Sequence, residues 1–504
     1  MAAGIAKQIT TLICGFVLPR FMLLYYGSAV NGMLASITHF LSFISFLDMG
    51  VGAVIQANLY KPLADKNNIQ ISQIIKASER FFRKLAYIFI GYIIILCFIF
   101  PKIIDANYGS WFTISLLLIV SFSSIIQYLF GMTYQLLLNA DQKSYVPLFM
   151  QIGTIFLNTI FAIILMYFGA SVHFVKLMTA MVYLLRPIGQ TLYVKTHYHI
   201  DHKIRVEGEP IHQKWNGFSQ HFASVVCQNI DVVVLTIFTT LENISIYSVY
   251  FMVTSGVEQI IMTATTGLEA LFGNMLAKKE KKELLKTFCI IEWTTHSVVS
   301  IVFTIAAITI VPFIAVYTRG IKDVNYISPL FGILLVTAYA TECLRVPYFR
   351  IIKAAGKFKE TQNGAYISAL LNIGITITLV FRYGLIGAAL GTLIAMFYHT
   401  CYIVLYLQKN ILERSTKFFF NYLLTDCLIA SISFWLTRKI EVDNLSYFSW
   451  ILYACKISIS VIIVAIVVHL VCYRTKILTI VQLLKRYFIQ EGMTYKLEEK
   501  NKIL

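Results

Sequence analysis

Residues 114–138 read ISLLLIVSFSSIIQYLFGMTYQLLL, a stretch of 25 residues without a charged side chain. The helix that it would form has no polar stripe, which a soluble helix of this length needs on its water-facing side. About 20 residues at ~1.5 Å each cross the ~30 Å hydrocarbon core of a bilayer. The stretch is therefore predicted to be a transmembrane helix.

Similar apolar stretches recur along the chain, separated by short hinges that carry lysine and arginine. Hydrophobic residues make up 58% of the chain and charged residues 13%, with a mean hydropathy of +0.73, whereas about a quarter of the residues of a soluble domain are charged. We therefore predict an all-α, polytopic membrane protein. Fourteen spans are predicted, at residues 9–29, 32–57, 85–104, 111–138, 146–169, 172–193, 217–240, 245–274, 287–313, 327–352, 363–382, 384–407, 418–438 and 447–471.

Lysine and arginine are distributed unevenly between the two sides of these spans. With the N-terminus placed inside, thirty of the 42 basic residues fall in cytoplasmic segments, six on the outer side and six within spans. The positive-inside rule therefore predicts that both termini are cytoplasmic. The net charge of +17 is explained by orientation and by contact with anionic lipid headgroups, so a nucleic-acid partner is not expected.

The predicted outer loops are too short for an external catalytic domain. The longest is the loop around residues 319–326, and no loop contains a DxD, HExxH, GxSxG or Walker pattern. The nine cysteines form no CxxC pair, so no metal site is expected. The sequence favours a protein that is not an enzyme, and a membrane glycan polymerase remains as a less favoured alternative.

The second half of the chain resembles the first. LADK at residues 63–66 matches LAKK at 276–279, and YQLLLNADQK at 134–143 matches YFRIIKAAGK at 348–357, at offsets of 213 and 214. Both matches follow predicted spans of the same orientation, which indicates a parallel repeat of six spans. Parallel repeats form two lobes around an axis along the membrane normal, with the substrate path between them.

The repeat predicts how the chain is divided. Two short segments are also amphipathic, residues 69–84 and 477–488, and are predicted to lie along the inner membrane surface. The predicted parts are an N-terminal lobe of six spans (1–200), a cytoplasmic hinge (201–216), a C-terminal lobe of six spans (217–410), two extra spans (411–471) and a basic cytoplasmic tail (472–504).

FLDMGVGA at residues 46–53, followed by NLYKPLADK at 58–66, resembles the bacterial polysaccharide transporter family. These are Wzx-type oligosaccharide-lipid flippases of the multidrug/oligosaccharidyl-lipid/polysaccharide (MOP) exporter superfamily. The resemblance covers nearly the whole chain and implies a V-shaped, MATE-like pair of lobes in a bacterial cell membrane. It also implies alternating access that carries an undecaprenyl-pyrophosphate-linked oligosaccharide from the inner to the outer leaflet, with a polysaccharide polymerase as a further partner.

An anionic pyrophosphate needs cations along its path, and charged residues within spans are the natural candidates. We predict that the substrate is bound by Arg20, Arg186, Arg345 and His39. Arg20 lies near the middle of the first span and is the strongest candidate among them. Two other basic residues, Arg350 and Lys176, are expected instead to reach the headgroups.

Each of these candidates has a structural alternative. Arg20 could pair with a buried carboxylate, and Arg345 could be neutralised by Glu342, which lies one turn away. His39 could be a packing residue with a satisfied hydrogen bond. The sequence leaves these alternatives open.

A second polar set lies at a common depth in the C-terminal lobe. Asp231, Asn372 and Thr392 lie eight to ten residues from the outer ends of three predicted spans, and Thr376 is one turn from Asn372. Oxygen ligands converging there could hold Na⁺, or Asp231 alone could carry a proton. Some related lipid II flippases place a sodium site on these three helices. A hydrogen-bond network between helices is the alternative.

The main competing function is a cation-coupled multidrug exporter of the same superfamily. Many such exporters resemble one another in having an acidic residue in the first helix, whereas residues 9–29 contain only Arg20 as a charge. This difference favours an anionic cargo. Glu258, Glu269 and Asp426, which lie within predicted spans, keep the exporter alternative open.

Overall fold

The computed structural model describes residues 2–104, 108–201, 204, 218–442 and 444–474. These residues form helices and short turns without any strand. The helices are α1 (Ala2–Ser42), α2 (Phe46–Ala64), α3 (Asn68–Ile103), α4 (Ser110–Ile126), α5 (Met132–Ala140), α6 (Tyr145–Tyr167), α7 (Val172–His197), α8 (Phe218–Phe238), α9 (Leu241–Ala264), α10 (Leu268–Ala277), α11 (Lys281–Tyr317), α12 (Pro329–Ala354), α13 (Phe358–Tyr383), α14 (Leu385–Leu407), α15 (Lys417–Thr437) and α16 (Tyr447–Arg474).

Every one of the fourteen predicted spans corresponds to a helix or to two helices in succession, which confirms the predicted fold class. Eleven of the described helical stretches are long and apolar enough to cross a membrane. The first two predicted spans share α1, and a π turn joins α4 to α5 within the fourth. The predicted hinge at 201–216 lies mostly outside the described residues, as does the tail from residue 475 onwards.

Gly27 divides α1 into two transmembrane segments. Its backbone has φ 81° and ψ 175°, a conformation that is essentially restricted to glycine. Asp323, from the loop after α11, accepts hydrogen bonds from the backbone N–H of Ser28 at 2.7 Å and from the Ser28 hydroxyl at 2.9 Å. This carboxylate therefore caps the second segment of α1 at the predicted outer side.

The segment 69–84 differs from its prediction. It forms the first half of α3 and continues without a break into the third span. Its apolar face, which includes Ile75 and Phe82, is buried against α2 and α5 rather than in the headgroup region. The amphipathic pattern was identified correctly, but a protein surface covers it because α2 and α5 pack beside it.

The two repeated sequence blocks end in the same backbone turn. Lys66 and Lys279 have φ of 53° and 58° at the first block, and Gln142 and Gly356 have φ of 58° and 67° at the second. At all four positions the next residue donates its N–H to the carbonyl oxygen five residues before it, as in a Schellman motif. The four helix ends lie on the predicted cytoplasmic side.

The first and second halves of the chain meet along α1, which packs on α8 and α9. Asn31 donates a hydrogen bond to the Ser245 hydroxyl at 2.9 Å across this seam. A Cβ on Gly32 would lie 1.8 Å from the Leu241 carbonyl oxygen, so only glycine permits this approach. Small residues allow close helix contact in membranes, where no hydrophobic effect drives helices together.

The last two helices, α15 and α16, pack against α11 through a small apolar cluster that includes Ile429, Ala465 and Ile301. The link from α14 to α15 is fixed by Arg414, whose guanidinium contacts both carboxylate oxygens of Glu292 at 2.7 and 2.6 Å. The extra pair is therefore joined to the second half of the chain.

Candidate functional site

A polar cavity of about 290 Å³ lies between α8, α9, α12, α13 and α14, in the half of these helices nearer the predicted cytoplasmic side. The helices are predicted spans of the second half of the chain, and each contributes a polar or charged residue to the lining. Among the lining residues are Gln228, Glu258, Arg345, Ser368 and His399.

Arg345 is the central cation of this cavity. Its Nη2 donates to Glu342 at 2.7 Å, and its Nη1 lies 3.1 Å from His399 Nδ1, so the imidazole is the acceptor. Arg345 is thus paired with Glu342, as the alternative in the sequence analysis anticipated. Glu258 also lines the cavity and accepts no hydrogen bond from a described residue, so the cavity retains one unpaired carboxylate.

Two further cations line the end of the cavity that is nearer the predicted cytoplasmic side. Arg350 lies 3.4 Å from Glu269, and Lys353 lies 4.9 Å from the centre of the Phe349 ring. Both residues belong to the last two turns of α12, where a cation also interacts favourably with the helix dipole.

The predicted ion-coupling residues lie one helical turn further from the predicted cytoplasmic side than residues that line the cavity. Asp231 follows the lining residue Cys227 by four positions, Asn372 follows Ser368 by four, and Thr392 precedes Met396 by four. Residues four apart lie on one face of a helix. On each of these three helices, a residue that lines the cavity is therefore separated by one turn from a buried residue that carries a side-chain oxygen.

The four predicted coupling side chains form two buried pairs, Asp231 with Thr392 and Asn372 with Thr376. Thr392 and Tyr247 both donate to Oδ2 of Asp231, the latter at 2.9 Å. Thr376 donates to Oδ1 of Asn372 at 2.9 Å. The pairs are neighbours, because Gly391, next to Thr392, packs directly on Thr376.

Oδ1 of Asp231 is buried without a hydrogen-bond partner among the described residues. A lone buried carboxylate oxygen is costly unless a cation or a proton satisfies it. Carboxylate, hydroxyl and amide oxygens are the ligands that hard cations prefer. The residues present therefore fit a small hard cation or a proton equally well.

Arg186 lies in a different cavity, of about 320 Å³, in the first half of the chain. The described lining residues are Arg186 with Ser123, Ser124, Gln127, Tyr128, Met132 and Tyr183, and none of them is a carboxylate. Nε of Arg186 is buried without a hydrogen-bond partner among the described residues, and the guanidinium lies 6.0 Å from the centre of the Tyr183 ring.

A π turn at Gln127–Gly131 shapes this second cavity. Such turns insert one extra residue into a helix and are frequent at functional sites. A Cβ on Gly131 would lie 2.7 Å from Oε1 of Gln127, so glycine leaves room for this amide. The sequence does not single out Gln127 among the polar residues of the spans, since no local pattern distinguishes a π turn from the α-helix around it.

Arg20 and His39 stand apart from both polar cavities. Arg20 donates to the backbone carbonyls of Tyr317 and Arg319 at the end of α11, and it borders an apolar cavity of about 670 Å³. It contacts carbonyls rather than the carboxylate that was considered as the alternative. His39 Nδ1 lies 2.9 Å from Oδ1 of Asn229, across the seam between the halves.

The structure thus separates the four predicted substrate residues. Arg186 and Arg345 line two different polar cavities, Arg20 lies at an apolar one, and His39 is in none of the three. The four predicted coupling residues, by contrast, lie together.

No family model matches the chain, and no curated protein matches its sequence. Solved structures match its fold. A structure of the lipid II flippase MurJ in an inward closed conformation has a TM-score of 0.68 and 18% identity, covering 94% of this chain and 99% of that one. The chain has the fold of the MOP-superfamily transporters.

Two further structures show the same likeness. An inward-facing multidrug resistance MATE family transporter of the MOP superfamily has a TM-score of 0.63 and 10% identity, over 80% of this chain and 94% of that one. A MOP-superfamily transporter from Pyrococcus furiosus has a TM-score of 0.52 and 13% identity, over 81% and 96%. The MATE-like fold and the multi-pass membrane architecture predicted from the sequence are confirmed.

Proposed function

We propose that the protein is a flippase that moves an anionic lipid-linked oligosaccharide across a bacterial cell membrane by alternating access. The observation that carries this proposal is Arg186, a cation within a transmembrane helix that faces a polar cavity with no carboxylate among its described lining residues. Burying an unpaired charge is costly, so such a residue is retained for an anionic partner. A pyrophosphate offers that partner, and the serines, glutamine and tyrosines around it suit sugar hydroxyls.

The likeness to a lipid II flippase structure also supports a flippase function. The flippase structure leaves only 6% of the 504 residues uncovered, about 30 residues. This number is smaller than the 58 residues of 417–474, so its likeness extends into the two extra helices. The match to the multidrug transporter covers 80% of the chain. At least part of the extra helix pair therefore has a counterpart in the lipid II flippase structure.

The test uses purified protein in proteoliposomes with undecaprenyl pyrophosphate that carries a fluorescent sugar. Arg186→Gln should slow flipping about 10- to 100-fold, because a hydrogen bond to a charged group contributes about 1.5–3 kcal/mol. Arg186→Lys should retain part of the rate, since it keeps the charge but loses the planar fork. Arg382→Gln is the matched control, because Arg382 lies at an exposed helix end beside Tyr383.

Wild-type flipping by stable Arg186→Glu protein would refute the role of Arg186. The exporter alternative rests on Glu258, the unpaired carboxylate of the first cavity. It predicts that the same vesicles accumulate ethidium, a lipophilic cation, and that Glu258→Gln abolishes this accumulation. We expect no ethidium transport above empty vesicles.

Coupling to an ion belongs to the same proposal. Asp231, Asn372, Thr376 and Thr392 are proposed to bind the coupling cation, Na⁺ or H⁺, with Asp231 supplying the negative charge. Their place one turn behind the first cavity supports this role, because an ion there would alter the wall that faces the substrate path.

A further inference from the structure

Another buried ionisable pair lines neither the cavity of Arg345 nor the cavity of Arg186. His296 of α11 and Asp426 of α15 face each other, with Nδ1 and Oδ2 2.6 Å apart. Their side chains are 1% and 11% exposed. Asp426 is the tenth of the 21 residues of α15, so it lies near the middle of a predicted span. Ionisable residues at this depth are expensive and are functional candidates by default.

Both members of the pair have one atom left over. Nε2 of His296 and Oδ1 of Asp426 are buried, and neither forms a hydrogen bond with a described residue. The contact between Nδ1 and Oδ2 uses a single proton. The geometry therefore leaves two open atoms, Nε2 of His296 and Oδ1 of Asp426, at which a second proton can bind.

Among the described residues, no lysine or arginine forms an ion pair with Asp426. Arg414, one turn towards the predicted cytoplasmic side, is held by both oxygens of Glu292. The other titratable groups around the pair are neutral or weakly basic. They are Tyr348 of α12, which donates to Glu292, Cys289 of α11, Tyr422 and Cys427 of α15, and His469 and Tyr473 of α16.

A polar path leads away from the pair. Glu292, His296, Ser300 and Thr304 follow one another at intervals of four residues, so they form a single buried stripe along about 18 Å of α11. Beside the stripe lies a cavity of about 160 Å³, lined in part by Asp426, Ser300 and Thr304. At ~30 Å³ per water this cavity has room for several water molecules.

We propose that His296 and Asp426 form a proton-binding site between α11 and the extra helix pair. With one shared proton, neutral imidazole and carboxylate carry a net charge of −1 in the hydrocarbon region. A second proton, taken up at Nε2 of His296, gives imidazolium and carboxylate with no net charge. Proton binding thus removes an uncompensated charge from a low-dielectric site.

The competing explanation is that the pair only joins two helices. Polar side chains do hydrogen-bond between transmembrane helices. In that case the pair would keep one protonation state throughout, and its replacement by a neutral hydrogen-bonding pair would leave proton binding unchanged. The number of protons bound therefore distinguishes a proton site from a structural contact.

The experiment is a potentiometric titration of the purified full-length protein between pH 9 and pH 5, with proton uptake counted per chain. The double variant H296Q/D426N places two amides that can hydrogen-bond to each other, so it preserves the contact. We expect it to bind one proton fewer than wild type. D426N alone should also lose this proton, because the imidazolium then lacks its counter-charge.

H199Q is the control for loss of a histidine outside the pair, since His199 is exposed after α7. Imidazole ¹⁵N resonances of histidine-labelled wild-type protein give a second readout that needs no stable variant in place of the pair. One buried histidine should convert from a neutral tautomer to imidazolium within the same pH range. Equal proton uptake by wild type and the double variant, or no buried histidine that titrates, would overturn the proposal.

Discussion

Arginine side chains in the helices and in the link between α14 and α15 differ in how their charge is compensated. Arg345 is paired with Glu342, and Arg414 is held by Glu292. Arg20 is satisfied by two backbone carbonyls. Arg186 has neither kind of partner among the described residues. The partner of each arginine therefore indicates whether the residue serves the fold or a ligand.

Arg20→Gln provides the first prediction at this scale. The substitution removes the charged donor from the Tyr317 and Arg319 carbonyls, so we expect a loss of about 1.5–3 kcal/mol of stability. Thermal unfolding in detergent measures this loss, and Arg20→Lys should recover part of it. Flipping per folded molecule should stay near the wild-type rate. If folded Arg20→Gln protein no longer flips the substrate, while Arg20→Lys retains part of the rate, Arg20 belongs to the substrate path, as the sequence analysis predicted.

The coupling residues give the second prediction. Asp231→Asn keeps an oxygen that can accept from Thr392 and Tyr247, so the fold should persist, but it removes the formal negative charge. Transport should then lose its dependence on the driving ion, whereas Asn372→Ala should weaken it less, because water can replace a neutral ligand. Flipping is measured with Na⁺ and pH gradients imposed separately.

The same assay separates the two ions. If a pH gradient alone drives the wild type, H⁺ is the coupling ion and the sodium hypothesis is wrong. Ion dependence in Asp231→Asn that matches wild type would assign these residues to packing alone.

At the scale of elements, helix ends and breaks set the path of the chain. The four Schellman ends occur at equivalent positions of the two repeats, and so the repeat extends from sequence to backbone conformation. Gly27 breaks α1 at the opposite side, where Asp323 caps the new helix start. This cap links the first half of the chain to the loop after α11.

Gly27→Ala is the prediction for this element. Its backbone conformation excludes a side chain, and a new Cβ would lie 3.2 Å from Oδ2 of Asp323. We expect a loss of about 1–3 kcal/mol of stability, measured by thermal unfolding. Gly15→Ala in the same helix is the control, because its Cβ would meet no atom within 4 Å and should stabilise the helix by roughly 0.5–1 kcal/mol. Equal behaviour of both variants would show that the break is not needed.

At the scale of the whole molecule, the two halves meet at the α1 seam and the extra helix pair is attached to α11. The polar cavities lie in different halves of the chain, one with Arg186 and the other with Arg345. In the proposed carrier, movement of the two halves about the seam would open the space between them to one side of the membrane and then to the other.

The predicted orientation of the molecule is tested with reporter fusions. Fusions after Lys143, Asn216, Lys286 and Leu504 should all report a cytoplasmic location, because thirty of the 42 basic residues lie on that side. A fusion after Lys322, in a predicted outer loop, is the opposite control. A periplasmic signal after Asn216 would break the arrangement of six, six and two spans.

The sequence alone determined the number and positions of the spans, because a membrane helix is specified by a local run of apolar residues. It also determined the common depth of Asp231, Asn372 and Thr392, since depth follows from the residue count along a helix at a fixed rise. These three residues and Thr376, the four predicted coupling residues, lie at one level of the helix bundle for that reason.

Only the tertiary structure decided which residues face one another. Arg20 meets carbonyls nearly 300 positions away, and His296 meets Asp426 at a separation of 130. The rotation of each helix about its axis and the choice of its neighbours depend on packing of the whole bundle, since lipid and apolar side chains are alike and no local signal favours one face. The contacts that distinguish a ligand site from a structural pair therefore arise only when the helices are assembled.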